Sequence, residues 1–173
     1  TFTGAVLRPP GSKADKDIPP KDLKALKEIG AVGTEATGYP CVGVYEDFAL
    51  SKDIVGKRPL WGLALEWMYE HAGVIAYSTE VWDMPNRAIG RLDTYKTLMD
   101  WTEEENIKLQ QWNDENLGGE GFINWHPFNH PQLGPVEIGG WKHKFTFQNP
   151  PPKFLLQECQ KNARSVIEMA LTT

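Results

Sequence analysis

The segment LEWMYEHAGVIAYSTEVWD, residues 65–83, indicates the fold class of this chain, because a helical pattern leads there directly into a strand pattern. Residues 60–71 are predicted to form a helix, which Gly73 ends. Residues 74–82 form a near-continuous run rich in β-branched and aromatic residues, which predicts a buried strand. A helix that leads into a strand indicates an α/β protein.

The segments on either side of this stretch continue the same alternation. Two further strands are predicted, and between and after them lie three helices with apolar residues at helical spacing. Residues 46–59 are predicted to be a long loop, and residues 120–152, which are rich in Gly, Pro and aromatic residues, an ordered irregular segment. The strands are predicted at 2–8 and 41–45, and the helices at 20–38, 102–117 and 153–171, the last with Leu155, Cys159, Ala163, Val166 and Ala170 at helical spacing.

Composition excludes some classes of function. The 173 residues suit one domain, and a net charge of −5 offers no basic surface for nucleic acid or for an acidic membrane. No apolar run is long enough to span a bilayer, so a soluble protein is expected, either secreted or cytoplasmic. Cys41 and Cys159 fit no metal-binding or redox spacing, and they are interpreted as two buried thiols or at most one disulfide.

Glu80 is the first candidate for chemistry. It lies near the end of the predicted strand at residues 74–82, and ligands collect at the carboxyl ends of the strands in a mostly parallel sheet. A carboxylate at the end of a buried strand is unfavourable unless it is paired, hydrogen-bonded or needed for function. From position alone, Glu80 is either a structural ion-pair partner or a catalytic group.

Residues 65–83 resemble the zinc carboxypeptidases of the carboxypeptidase A type. Members of that family carry an acidic residue and a Trp, then a Tyr, a Gly and a strand that ends in Phe-Glu-Leu-Arg-Asp, and the register matches this segment. The resemblance implies that Glu80 is the general base, which takes a proton from a zinc-bound water and returns it to the leaving amine. It also implies the C-terminal part of a three-layer α/β sandwich, a mixed sheet flanked by helices, with residues 1–173 as part of a single catalytic domain.

The beginning of the chain extends the resemblance. TFTGAVLRPP, residues 1–10, is similar to the family's strand that follows the third zinc ligand, a His that would lie immediately before Thr1. The family's other two ligands belong to a His-x-x-Glu motif further upstream. The resemblance therefore implies Zn²⁺ in a longer parent protein, with its ligands outside this chain and a peptide C-terminus as substrate. The fragment alone is expected to be inactive and to associate with its N-terminal half or with itself.

Three further residues are candidates through the resemblance. Tyr45 is either the tyrosine of the family's mobile loop or a core residue. Leu65 matches the base of the specificity pocket, which implies a preference for apolar C-terminal side chains, although it is also a natural helix core residue. Glu137 lies in EGFINWHPFNHPQLGPVEIGGWKHKF, residues 120–145, a segment similar to one in a subgroup of carboxypeptidase-like proteins, and it is expected to approach the active site.

Rival interpretations remain at this point. His126, His130 and His143 form a second candidate zinc site, but Pro127 and Pro131 oppose the helix that would bring the first two together, and ordinary loop residues are the alternative. The chain also fits a non-catalytic module that binds peptide or glycan ends on Trp-rich loops. A complete and unrelated α/β protein is the third interpretation.

Overall fold

A three-stranded sheet forms the centre of the protein. The computed structural model describes residues 4–48, 59–90 and 101–173. The strands β1 (Ala5–Arg8), β2 (Cys41–Gly43) and β3 (Ser78–Glu80) lie in the order β2-β1-β3. β1 is parallel to β2 and antiparallel to β3, so the sheet is mixed.

The predicted strands are present, but two of them are shorter than expected. The strand predicted at 41–45 ends at Gly43, because the chain enters a π-helical turn at Val44–Phe48. The strand predicted at 74–82 is paired only over Ser78–Glu80, since β1, its partner, is four residues long. The predicted loop at 46–59 falls mostly outside the described residues.

Local signals set the ends of the helices. Pro20 occupies the first position of its helix, and Gly38, with φ of +78°, ends it in the left-handed conformation that glycine adopts readily. Thr102 and Glu105 form the predicted capping box. The predictions of helices at residues 20–38 and 102–117 are confirmed. In the described ranges the helices are α1 (Pro20–Thr37), α2 (Ala64–Ala72), α3 (Met84–Ile89), α4 (Glu103–Leu117), α5 (His143–Thr146) and α6 (Pro152–Thr172), together with a 3-10 turn at Asp15–Asp17.

Helices cover both faces of the sheet. Because side chains alternate along a strand, β1 sends Ala5 and Leu7 to one face and Val6 to the other. Ala5 and Leu7 pack with Leu65 of α2, whereas Val6 packs with residues of α1 and α6. The expectation of an α/β protein with helices on a mixed sheet is confirmed in this general form.

The orientation of α6 differs from the pattern in the sequence. Its buried positions are Glu158, Ser165 and Met169, while Leu155 and Val166 are 52% and 68% exposed. Cys159, Ala163 and Ala170 are exposed as well. The interpretation of Cys159 as a buried thiol was therefore wrong. Glu158 is buried by polar contacts with the rest of the chain, described below, and Met169 by apolar packing against β1 and α1, so burial on this helix does not follow the predicted apolar stripe. No helix in the described ranges has the length and apolar character that a bilayer span requires.

Residues 120–152 are more regular than predicted. They contain an antiparallel hairpin of β4 (Phe122–His130) and β5 (Gly134–Trp141), followed by the short α5. A bulge interrupts β4 between Ile123 and His126. Gly139 lies opposite it, where an added Cβ would be 2.8 Å from the Cα of Trp125. The prediction of an irregular segment was wrong, because the exposed strands lack the alternation of apolar and polar residues that a half-buried strand shows.

Aromatic packing attaches the base of this hairpin to the rest of the chain. Trp141 meets Phe147 edge to face, with ring centroids 5.0 Å apart. Phe147 belongs to a buried cluster with Trp82, Met84 and Leu109. This cluster links the hairpin to the segment that directly follows β3.

Candidate functional site

Glu80 lies at the amino end of β1. It is the last residue of β3 and pairs with Ala5. Directly opposed residues in an antiparallel pair project to the same face, so Glu80 shares the face of Ala5 and Leu7, which α2 covers. The sequence argument assumed a mostly parallel sheet, and this was wrong: β3 runs against β1, so Glu80 is not at the carboxyl end of the parallel pair.

The carboxyl ends of β1 and β2 meet a different feature. A cleft of about 980 Å³ extends from there along α1 to Cys41 at the start of β2, and its lining includes the charged residues Arg8, Asp15 and Lys27. Arg8 and Lys27 both form ion pairs with Asp15, at 2.7 and 2.9 Å. Burial alone would raise the pKa of Asp15, but the bonds from Lys27 and Arg8 outweigh it and lower that pKa. These paired charges hold the end of the sheet together.

The carboxylate of Glu80 is half-buried and unpaired within the described part of the chain. No hydrogen bond or ion pair joins it to another described side chain. Burial raises its pKa above the ordinary value of a glutamate. A carboxylate with a raised pKa binds a proton more readily near neutral pH, which is the property that a general base or acid needs.

Leu65 comes to the same face of the sheet as Glu80. It is 7% exposed and packs with Ala5, the residue opposite Glu80. Its neighbour Glu66 is buried and accepts a hydrogen bond from the backbone N–H of Gly11, which ties α2 to the loop after β1. The structure thus brings Leu65 and Glu80 together around Ala5, with Leu65 as a core side chain.

Tyr45 lies at the other end of the sheet. It belongs to the turn after β2, whose Gly43 pairs with Arg8 at the carboxyl end of β1. Ala5 and Arg8 are about 10 Å apart along the strand, at a rise of about 3.3 Å per residue. In this structure Tyr45 and Glu80 are therefore not brought together.

Glu137, His126 and His130 lie on the hairpin. Glu137 is exposed and pairs with Pro127 in the ladder. His126 and His130 lie four residues apart on an extended strand, about 13 Å, which is too far for one metal ion. The Nδ1 atom of His130 instead accepts hydrogen bonds from the N–H groups of Gln132 and Leu133.

The rival zinc site is not formed by the two strand histidines, and the side chain of His143 lies outside the described part. In the ranges that the structure describes, no three His, Cys, Asp or Glu side chains are grouped to hold a metal ion.

Sequence reasoning missed the backbone feature two residues beyond Glu80. Trp82 has φ of +82° and is fully buried. A bulky residue in this region is strained by about 1–3 kcal/mol, so surrounding contacts must hold it there. Its backbone N–H donates to the hydroxyl of Tyr39 at 2.9 Å, and its indole N–H donates to the carbonyl of Thr146.

Glu158 of α6 completes this group of contacts. It is fully buried and accepts hydrogen bonds from the hydroxyl of Tyr39 and from Arg87, while Lys161 lies 3.0 Å away. Burial alone would raise the pKa of Glu158, but these three donors outweigh it and lower that pKa. The guanidinium of Arg87 also lies 5.1 Å from the ring centroid of Trp82. Glu158 lies beside the apolar stripe predicted for α6, and no sequence pattern signalled this cluster.

Asp83 is the next residue along the chain. It is 3% exposed and caps α3 by accepting a hydrogen bond from the N–H of Asn86 at 2.9 Å. Burial raises the pKa of Asp83 to about 6, against weaker opposing effects of the Asn86 bond and Lys161. The segment after Glu80 thus holds a strained Trp and a poorly solvated Asp in direct succession.

Comparison of the chain with family models, with curated proteins and with solved structures gave no match in any of the three.

Proposed function

We propose that this chain is part of the catalytic domain of a metallocarboxypeptidase, in which Glu80 transfers protons during hydrolysis of a C-terminal peptide bond. The proposal rests on the resemblance of residues 65–83 to the zinc carboxypeptidases. One structural observation supports it: the register of β3 brings Glu80 to the amino end of β1. The resemblance assigns the third zinc ligand to the residue before Thr1, which precedes β1 in the chain.

The chemistry assigned to Glu80 follows from its surroundings. The carboxylate accepts a proton from the attacking water and returns it to the amine that leaves. Burial raises the pKa of Glu80, which makes the carboxylate a stronger base for the first of these steps. Zn²⁺, where bound, supplies a water of lowered pKa and polarises the peptide carbonyl. The resemblance assigns the zinc ligands to the parent protein, upstream of this chain.

The experiment compares the wild-type parent protein with Glu80→Gln in the hydrolysis of blocked dipeptides. Gln keeps the size of the side chain but cannot take up the proton, and we expect kcat to fall by about 10²–10⁴-fold. Glu115→Gln is the matched control, since Glu115 is an exposed residue of α4. Equal rates for the wild type and Glu80→Gln would refute the assignment of Glu80 as the group that transfers protons. The 173-residue chain alone is expected to release no C-terminal residues.

A non-catalytic binding module is the second candidate. Two aromatic side chains on the hairpin, Trp125 and Phe128, are 60% and 43% exposed. Exposed rings of this kind are typical of binding surfaces. A parent protein that binds peptide or glycan ends, contains no zinc and hydrolyses no dipeptide would favour this candidate over the enzyme.

A further inference from the structure

The hydroxyl of Tyr39 joins the backbone of the segment after Glu80 to the buried charge of Glu158. It donates to the carboxylate of Glu158 and accepts the backbone N–H of Trp82. A hydroxyl carries one hydrogen, so donation to Glu158 leaves its lone pairs facing the Trp82 amide. The carboxylate thereby sets the direction in which this hydroxyl accepts.

We propose that Tyr39 is a positioning residue for Glu80. Its hydroxyl, oriented by Glu158, holds the backbone of Trp82 in the left-handed conformation. The backbone of Trp82 in turn holds the end of β3, which carries the catalytic carboxylate. The inference rests on the proposed function. In the described part of the chain no hydrogen bond joins Tyr39 to Glu80 itself, and Tyr39 acts through the backbone of Val81 and Trp82.

The geometry on the two sides of Glu80 supports this role. On one side, pairing with β1 over Ser78–Glu80 fixes the backbone. On the other, the chain must turn at Trp82, whose φ of +82° is unfavourable without the contacts that hold it. Tyr39 is 1% exposed and in close contact with Gly4, where an added Cβ would lie 2.7 Å from the Tyr39 ring. The phenol therefore cannot move aside without displacing the start of β1.

The role of Glu158 is to make this anchor rigid. Arg87 and Lys161 neutralise its buried charge, and the ammonium of Lys161 lies 4.5 Å from the centroid of the Tyr39 ring. Arg87 also contacts the ring of Trp82, so the same cation touches both the orienting carboxylate and the anchored residue. Loss of the hydroxyl would leave the Trp82 N–H buried without its acceptor.

The test uses the parent protein and the substitution Tyr39→Phe. Small displacements of a catalytic group reduce the chemical step strongly, so kcat is expected to fall by about 10–100-fold while KM changes by less than about threefold. The acidic limb of the pH profile of kcat/KM is expected to shift, because the surroundings of Glu80 change. Tyr69→Phe is the matched control: it removes a hydroxyl that donates to Asp22 of α1 and makes no hydrogen bond with Trp82 or Glu158 among the described residues, and it is expected to leave kcat unchanged.

A double substitution separates positioning from general damage. If Tyr39 acts through Glu80, Tyr39→Phe adds no further loss of kcat in a Glu80→Gln background. Full additivity, or an unchanged kcat in Tyr39→Phe, overturns the inference while the proposed function stands. A Glu80→Gln protein with wild-type rates overturns both. Should Tyr39→Phe fold poorly, Glu158→Gln serves in its place: the amide oxygen still accepts the hydroxyl, and a smaller fall in kcat is expected.

Discussion

Replacement of Asp83 by Asn is expected to stabilise the chain at pH 8 and to change its stability little at pH 4. Asp83 is buried, and its pKa is raised from 3.8 to about 6. The folded state therefore favours the protonated acid, and stability is lost as the pH rises from 3.8 through 6. At about 1.4 kcal/mol per pH unit, a difference of about two units corresponds to about 3 kcal/mol above pH 6.

Asn removes this pH-dependent loss without removing the cap of α3. Its side-chain oxygen accepts the N–H of Asn86 as the carboxylate does, and Asn is a favourable N-cap residue. Urea unfolding of both proteins at pH 4 and pH 8 measures the difference. We expect Asp83→Asn to be more stable by about 1–3 kcal/mol at pH 8 only.

The matched control is Asp17→Asn, which makes the same change of charge at an exposed position. It is expected to show no comparable gain. A lower stability of Asp83→Asn at pH 8 would refute the reasoning, because it would mean that attraction to Lys161 and Arg87 outweighs the effect of burial. The same gain at both pH values would refute it too.

Two further predictions concern packing. Leu65→Ala is expected to lower the free energy of unfolding by about 2–4 kcal/mol in urea denaturation, since it opens a cavity against Ala5 and Leu7; an unchanged midpoint would contradict the core position. Gly30→Ala is expected to destabilise the chain by about 1–3 kcal/mol, because its Cβ would lie 2.3 Å from the Sγ of Cys41. The double variant Gly30→Ala with Cys41→Ala is expected to recover part of this loss of stability, as measured by thermal unfolding. No recovery would show that the sulfur is not the obstacle.

The parts of the fold that local chemistry controls could be predicted from the sequence. Pro20 and Gly38 set the two ends of α1, and the Thr102 capping box sets the start of α4. The hairpin at residues 122–141 could not be predicted, because both of its strands are largely exposed and their composition shows no alternation. Its turn contains Pro131 and ends at Gly134 and so lacks the two-residue Asn-Gly signal.

The candidate site also has one part that could be predicted from the sequence and one part that could not. Glu80 was found from the end of a local strand pattern, but its pairing with Ala5 depends on β3 running antiparallel to β1, whereas a mostly parallel sheet was assumed. The bond between Tyr39 and Glu158 joins residues 119 positions apart. No periodicity or motif in a single sequence relates such positions. The apolar stripe of α6 was misleading for the same reason, since the buried positions of that helix are Glu158, Ser165 and Met169 instead.

The contact of α6 with α1 has a consequence for the way the chain folds. Gly33 allows the two helices to approach so closely that a Cβ there would lie 2.7 Å from the sulfur of Met169, a residue 169 − 33 = 136 positions later. Closing a flexible loop of that length opposes folding by about 4 kcal/mol of chain entropy. Contacts of such high sequence separation slow folding, because the entropy is lost before the contact stabilises the chain. The connection between β1 and β2, residues 9–40, is shorter, and its entropic barrier is about 1 kcal/mol smaller, so this parallel pair can form before the last helix arrives to bury Glu158.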